Sequence, residues 1–272
     1  MNSHPSRLAR MAAILSVAAS ASLASFAAFA ETDVDYDDQA KPTIVLVHGA
    51  FAESGSWDGV VSRLQAANYK VVAVANPLRG VKSDALYVGG VVDSIHGPVV
   101  LVGHSYGGSV ISEAAYGKTN VKSLVFVAAF APELGETAAG LSGKFPGGTL
   151  AATLAKPVPL PGGANDLYIQ QDKFPAQFAA DVPRSKARLM AAAQRPIADN
   201  ALGEAETDPA WKTIPSYFVY GSADKNIPAA AQAWMAERAH SVRTIVVKGG
   251  SHVVMISKPD VVANLIVEAA KH

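Results

Sequence analysis

One serine in this sequence lies between two glycines, directly after a run of β-branched residues. Ser105 is the central residue of GHSYG, residues 103–107, which fits the pattern G-x-S-x-G. Where a strand turns sharply into a helix, the serine hydroxyl is forced outward, and a Cβ two residues before or after it would clash. The pattern therefore predicts a nucleophilic hydroxyl at the end of a strand. The alternative is an ordinary turn serine.

A serine hydroxyl needs a histidine to accept its proton. After Ser105 the sequence has only His240, His252 and the terminal His272. His252 follows the last predicted strand, at the same sheet edge as the serine, whereas His240 precedes that strand. His48 comes before the serine, against the chain order of nucleophile, acid and histidine. We therefore predict that His252 is the base.

A carboxylate must orient that histidine. Asp224 lies three residues after a predicted strand, again at the carboxyl edge of the sheet, and Glu133 occupies the corresponding loop after the preceding strand. Asp199 and Asp208 lie in or at the end of an inserted segment, where their positions would be less rigid. The spacing favours Asp224, with Glu133 as its main competitor and a turn-forming aspartate as the structural alternative.

The developing oxyanion needs two backbone N–H donors. One comes from the residue after the nucleophile, and the other comes from the loop after the first strand. In this sequence those residues are Tyr106 and Ala50. The small Gly49 and Ala50 leave space for a carbonyl oxygen to enter.

The elements that must position these residues alternate regularly from Lys41 onward. Short β-branched runs alternate with segments of helical periodicity, which predicts an α/β fold with a mostly parallel sheet and helices on both faces. The predicted strands are 43–48, 70–75, 98–103, 122–130, 216–221 and 243–248. The predicted helices are 57–68, 83–95, 106–117, 228–239 and 259–270.

The alternation is interrupted once, between two strands. About eighty residues, rich in glycine and proline at first and helical afterwards, are too many for a simple loop. They predict an inserted helical cap at about 132–212 over the carboxyl edge of the sheet, where open α/β sheets bind ligands.

Five segments carry the motifs described above. They are VHGAFAESGSW, LVGHSYGGSV, VFVAAFAPELGE, DKNIPAAAQAWMAERA and GGSHVVMISKPD. Together they resemble the α/β-hydrolases of the plant methylesterase and hydroxynitrile lyase group and their bacterial relatives, over residues 43–270. The resemblance implies an α/β-hydrolase fold and serine ester hydrolysis by Ser105, Asp224 and His252, with no cofactor and no metal ion. It also favours Asp224 over Glu133.

Lyases of that group carry a threonine in the first-strand loop and a lysine directly after the catalytic histidine. The matching positions here are Gly49 and Val253. We therefore predict a serine carboxylesterase that hydrolyses small, largely apolar esters through an acyl-enzyme. The alternatives are hydroxynitrile lyase or cofactor-free perhydrolase chemistry on the same triad, and a non-catalytic ligand-binding homologue.

The N-terminal residues have the features of an export sequence. Two arginines precede an alanine-rich apolar run that ends in Ala-Phe-Ala at 28–30. This predicts a cleaved signal peptide at 1–30, a mobile acidic tail at 31–41 and an α/β-hydrolase domain at 42–272. The mature protein is expected in the periplasm or the medium, without stable membrane insertion.

Composition excludes several other classes of site. The sequence has no cysteine, so disulfides, zinc-thiolate sites and thiol nucleophiles are excluded. Lys plus Arg equals Asp plus Glu, at 23 each, so no overall field attracts nucleic acid. The expected partner is a small-molecule ester.

Overall fold

A computed structural model describes residues 41–271 of the chain. The predicted signal peptide at 1–30 and nearly all of the predicted tail at 31–41 lie outside the described residues. The strands are β1 (Thr43–Val47), β2 (Val71–Val74), β3 (Val99–His104), β4 (Val121–Val127), β5 (Val158–Pro159), β6 (Asn165–Leu167), β7 (Ile197–Ala198), β8 (Ser216–Gly221) and β9 (Arg243–Val247). The helices are α1 (Asp58–Ala66), α2 (Val81–Asp93), α3 (Gly107–Ala115), α4 (Ala138–Lys144), α5 (Phe174–Phe178), α6 (Arg184–Ala193), α7 (Asp199–Gly203), α8 (Ala229–Arg238), α9 (Val254–Ser257) and α10 (Pro259–Ala269).

Six parallel strands form the main sheet, in the order β2-β1-β3-β4-β8-β9. They are the six strands that the sequence predicts, so the predicted α/β sheet is confirmed. The prediction extended β4 to residue 130, but the strand ends at Val127. The next residue, Ala128, has a left-handed backbone with φ of 46°, which turns the chain out of the strand direction.

Burial explains why the strands are apolar without alternation. Every residue of β1 and of β3 is buried, so both faces of the sheet centre are covered. The edge strands β2 and β9 are partly exposed. Helix α1 packs against α10, and α2 packs against α3, outside this sheet.

Residues 128–215, between β4 and β8, form what we call the inserted segment. Besides four helices, α4 to α7, it contains a three-stranded antiparallel sheet in the order β5-β6-β7. This sheet was not predicted, because its strands are only two or three residues long, too short for a period of two to be visible in the sequence.

The two ends of the inserted segment are hydrogen-bonded to each other. The N–H of Gly135 donates to the carbonyl of Glu206, and the N–H of Glu206 donates to the carbonyl of Glu136, both at 2.9 Å. Arg238 of α8 donates to the Glu136 carboxylate and to the carbonyl of Ala131, both at 2.6 Å. These contacts fix the position of the inserted segment on the sheet.

The carboxyl group of Glu206 is buried at this junction, with only 1% of the residue exposed. Burial, and after it the neighbouring carboxylates of Glu113 and Asp208, raise its pKa to about 10. Glu113 itself accepts hydrogen bonds from the N–H groups of Thr207 and Asp208, both at 3.0 Å. Glu206 is therefore held as a neutral acid in the folded protein at neutral pH.

None of the helices within residues 41–271 is long and apolar enough to cross a membrane.

The first testable prediction concerns Glu206. The unfolded chain loses this proton near its ordinary pKa, whereas the folded chain holds it up to about pH 10. Between these two pKa values the folded state binds one more proton than the unfolded state. The free energy of unfolding therefore falls by up to about 1.4 kcal/mol for each unit by which the pH rises. In Glu206→Gln, the loss of unfolding free energy from about pH 5 to about pH 9 should shrink by more than about 1 kcal/mol.

Urea denaturation at several pH values measures this change, with Glu237→Gln on the exposed surface of α8 as the matched control. Equal pH slopes in the wild type and Glu206→Gln would contradict a proton held by Glu206.

Candidate active site

Ser105 lies at the sharp turn between β3 and α3. Its backbone is left-handed, with φ of 54°, a conformation that costs a non-glycine residue about 1–3 kcal/mol. Three hydrogen bonds hold it there. Its N–H donates to Val127 O at 3.3 Å, and its carbonyl accepts the N–H groups of Gly108 at 3.0 Å and Phe130 at 3.1 Å. The end of the neighbouring strand β4, the loop after it and the start of α3 thus maintain the strained turn.

The glycines of the G-x-S-x-G pattern are required by close packing. A Cβ at Gly103 would lie 2.5 Å from the carbonyl oxygen of Gly107. A Cβ at Gly107 would lie 2.5 Å from the carbonyl oxygen of Val47 at the end of β1. Both are backbone oxygens, one at the start of α3 and one at the end of β1, and neither can move without disturbing its element, so the turn is compatible only with glycine at both positions.

His252 and Asp224 are hydrogen-bonded to each other. Nδ1–H of His252 donates to Oδ2 of Asp224 at 2.7 Å, and both residues are buried. Oδ1 of Asp224 accepts the N–H groups of Asn226 at 2.8 Å and Ile227 at 3.0 Å, and Oδ2 also accepts Nε2 of Gln232 at 2.9 Å. Four donors therefore hold the carboxylate, which leaves Nε2 of the imidazole as its proton acceptor.

The other candidates for acid and base lie elsewhere. Glu133 pairs with Lys212, with 2.7 Å between Oε1 and Nζ. His240 is exposed beyond the end of α8. His48 is buried, and its Nδ1 bonds to the carbonyl of Gly49 at 3.0 Å. Burial lowers the pKa of His48 to about 4, so it stays neutral.

Ser105 and His252 line the same cavity. The remaining lining residues are mostly apolar: Ala50, Phe51, Tyr106, Phe130, Ala139, Ser142, Leu150, Phe178, Leu202, Asn226 and Ile227. The structure therefore places the candidate nucleophile and base together, in an apolar environment.

Two backbone N–H groups at this cavity are available to an incoming oxygen. Within residues 41–271, the N–H groups of Ala50 and Tyr106 donate no hydrogen bond, whereas the N–H of Phe51 donates to Arg195 O at 2.8 Å. Gly49 brings the two loops together, because a Cβ there would lie 3.0 Å from the nitrogen of Tyr106. The two donors are therefore positioned at adjoining places on the cavity wall.

The side chain of Tyr106 extends away from its backbone donor to a buried carboxyl group. Its hydroxyl donates to Oδ2 of Asp84 at 3.1 Å, and both residues are fully buried. Burial raises the pKa of Tyr106 and also that of Asp84. This contact fixes the residue that follows the nucleophile.

His104, which directly precedes Ser105, is a residue of the site that was not predicted from the sequence. It is fully buried, its ring centre lies 4.8 Å from that of His252, and Nε2–H donates to the carbonyl of His252 at 3.0 Å. Burial lowers the pKa of His104 well below its ordinary value. A neutral imidazole is therefore packed against His252. In the sequence, His104 occupies the first variable position of G-x-S-x-G, which does not specify a histidine.

The loops that carry Asp224 and His252 touch through two glycines. A Cβ at Gly221, at the end of β8, would lie 2.1 Å from the carbonyl oxygen of Gly250 and 2.6 Å from that of Ser251. The two loops can approach each other only because Gly221 has no side chain. The close approach of these loops brings the carboxylate of Asp224 within hydrogen-bond distance of the imidazole of His252.

The second prediction tests this contact. Gly221→Ala forces the two backbones apart, so the unfolding free energy should fall by more than about 2 kcal/mol. Gly90→Ala, in the middle of α2 with no atom within 4 Å of the added Cβ, should instead raise it by about 0.5–1 kcal/mol. Chemical denaturation of both variants measures the difference. Equal effects would show that backbone approach at Gly221 is not limiting.

Known proteins resemble this chain both in sequence and in fold. A sequence model described as the alpha/beta hydrolase family matches residues 44–265. An alpha/beta hydrolase, nvfD, of Aspergillus novofumigatus is 28% identical over 258 residues, covering 85% of this chain and 97% of that protein. An alpha-hydroxynitrile lyase of Arabidopsis thaliana is 25% identical over 242 residues, covering 81% of this chain and 94% of that protein.

Among solved structures, polyneuridine aldehyde esterase superposes with a TM-score of 0.72. It is 19% identical to this chain, and the match covers 84% of this chain and 98% of the esterase. At that identity the likeness shows a common fold.

Proposed function

The chain belongs to the alpha/beta hydrolase family, and on that premise we propose that it is a serine carboxylesterase acting on small, largely apolar esters through an acyl-enzyme. One observation carries the proposal. Ser105, in its strained turn, lines the same cavity as His252, and the imidazole of His252 donates to the buried Asp224 at 2.7 Å. Nucleophile, base and orienting carboxylate are the three groups that ester hydrolysis by a serine requires.

In the proposed acylation step, Oγ of Ser105 attacks the ester carbonyl carbon, and Nε2 of His252 accepts the hydroxyl proton. The carbonyl oxygen becomes an oxyanion that accepts hydrogen bonds from the N–H groups of Ala50 and Tyr106. When the ester C–O bond breaks, the imidazolium gives its proton to the departing alcohol. Asp224 remains ionised throughout and stabilises the imidazolium.

Water then releases the acyl group. His252 removes a proton from the attacking water, and a second oxyanion forms at the same two N–H groups. Its collapse breaks the bond to Oγ of Ser105, which regains a proton from the imidazolium. The products are a carboxylic acid and an alcohol, and the enzyme returns to its starting state.

The cavity walls support the proposed substrate class. Phe51 and Ile227 come from loops at the edge of the main sheet, and the inserted segment contributes Phe130, Leu150, Phe178 and Leu202. These side chains favour a small apolar acyl or alkyl group over a charged or long one. We therefore assign residues 132–212 the role of a cap that encloses the substrate.

Lyase chemistry is the main competitor, because one relative is described as an alpha-hydroxynitrile lyase. The two lyase residues that the resemblance leads us to expect are replaced by Gly49 and the fully buried Val253. No cation therefore follows His252 to receive a leaving cyanide. Mandelonitrile should be cleaved far more slowly than short esters, and the reverse order would favour the lyase.

We also propose that residues 1–30 direct export and are removed. The support is the sequence pattern of two arginines, an apolar run and an Ala-x-Ala site. N-terminal sequencing of protein recovered from the periplasm or medium should begin at Glu31. A mature protein that retains Met1 would contradict this assignment.

The third prediction concerns turnover. The wild type should hydrolyse p-nitrophenyl acetate and short methyl esters, and Ser105→Ala should lose at least about a thousandfold in kcat because no nucleophile remains. Ser94→Ala, at an exposed serine after α2, is the matched control and should retain wild-type kcat. Steady-state kinetics of the three proteins measures the effect. Equal rates in wild type and Ser105→Ala would contradict the assigned nucleophile.

A further inference from the structure

Asn226 belongs to the loop that carries the proposed catalytic carboxylate. It lies two residues after Asp224, is only 4% exposed and lines the cavity that contains Ser105 and His252. Its backbone N–H donates to Oδ1 of Asp224 at 2.8 Å. The main chain of Asn226 is therefore fixed by the triad, and its side chain lies at the wall of the substrate cavity.

A glutamine from the inserted segment fixes which way the amide of Asn226 faces. Nε2 of Gln177 donates to the carbonyl of Lys225 at 3.0 Å and to Oδ1 of Asn226 at 2.9 Å. The carbonyl of Lys225 can only accept, so this nitrogen of Gln177 must face it. Oε1 of Gln177 accepts the hydroxyl of Thr149 at 2.8 Å. The oxygen of Asn226 is therefore committed to Gln177.

The amide nitrogen of Asn226 is left without a partner. Nδ2 is buried and makes no hydrogen bond within the described part of the chain. The other polar side chains on the cavity wall, outside the proposed catalytic pair, are engaged. Ser142 donates to the carbonyl of Ala138 at 2.9 Å, and the hydroxyl of Tyr106 donates to Asp84. A buried, unpaired amide donor is unfavourable, and a ligand with an acceptor oxygen satisfies it.

We propose that Asn226 determines substrate specificity by donating a hydrogen bond from Nδ2 to an oxygen of the substrate other than those of the reacting ester group. The preferred substrates then are small esters with a keto, hydroxyl or ether oxygen close to the ester, in an otherwise apolar skeleton. This inference rests on the proposed esterase function. Asn226 takes no part in bond making or breaking.

Asn226 discriminates between esters with an additional oxygen and plain alkyl esters because Nδ2 is paired with the first kind and unpaired with the second. An ester with a suitably placed oxygen pairs Nδ2 in the closed cavity. An isosteric alkyl ester excludes water and leaves the donor unpaired. The expected preference, beyond any difference in chemical reactivity, is at least about tenfold in kcat/KM, because an unpaired buried donor costs about 1–3 kcal/mol.

The fourth prediction is tested with two pairs of isosteric esters. Methyl methoxyacetate and methyl butanoate differ by one ether oxygen on the acyl side. Similarly, 2-methoxyethyl acetate and butyl acetate differ by one on the alcohol side. The measured quantity is the ratio of kcat/KM for the ether to that for the alkyl ester. Because reactivity differences are the same for every variant, the change in this ratio reports the contact with Asn226.

Two substitutions remove the donor in different ways. Asn226→Leu replaces the amide by an apolar side chain. Asn226→Asp keeps its shape and its acceptor for Gln177 but puts an acceptor in place of Nδ2. Both should lower the ratio about tenfold in at least one pair, and that pair identifies the side of the ester that carries the contact. Asn200→Leu, on the exposed surface of α7, should leave both ratios at the wild-type value.

The outcomes separate this inference from the proposed function. Ester hydrolysis with unchanged ratios in the well-folded Asn226→Asp protein would overturn the role of Asn226 and leave the esterase intact. No hydrolysis of any of the four esters by the wild type would overturn both. A fall in activity by the same factor for ether and alkyl esters would show that Asn226 acts only on the structure of the triad.

Discussion

The structure depends on the left-handed backbone of Ser105. No local preference favours that conformation for a serine, so it persists only because the end of β4, the start of α3 and the loop after β4 hold it with backbone hydrogen bonds. The close packing around this turn also requires glycine at positions 103 and 107, and it brings the end of β1 against the turn. The serine is thereby presented at the carboxyl edge of the sheet, where the loops that follow β8 and β9 also begin.

The loop after β8 is the second organising feature. Asp224 accepts four hydrogen bonds, and only one of them comes from His252. The others come from the backbone of the same loop and from Gln232 in α8. Through Asn226 and Gln177 this loop is also bonded to the inserted segment. One short loop therefore connects the proposed catalytic carboxylate, the cavity wall and the inserted segment.

Much of this arrangement can be predicted from sequence, because the constraints are local. A β-branched run followed by G-x-S-x-G identifies the turn at Ser105, and apolar runs identify six buried strands. The distance between Asp224 and His252 is not local, since it depends on contact between Gly221 and Gly250. The roles of His104 and Asn226 depend on His252 and Gln177, which lie far along the chain. The strands of the small sheet are too short to show a period. These features become visible only when the chain is folded.

The most direct test of an activated nucleophile is covalent labelling. A fluorophosphonate added to the folded protein should modify one residue per chain, and peptide mass spectrometry should place the adduct on Ser105, because only a serine activated by a neighbouring base displaces fluoride at a useful rate. Protein unfolded in urea should remain unlabelled. A folded protein that takes up no label, or carries it on a residue other than Ser105, would contradict the account.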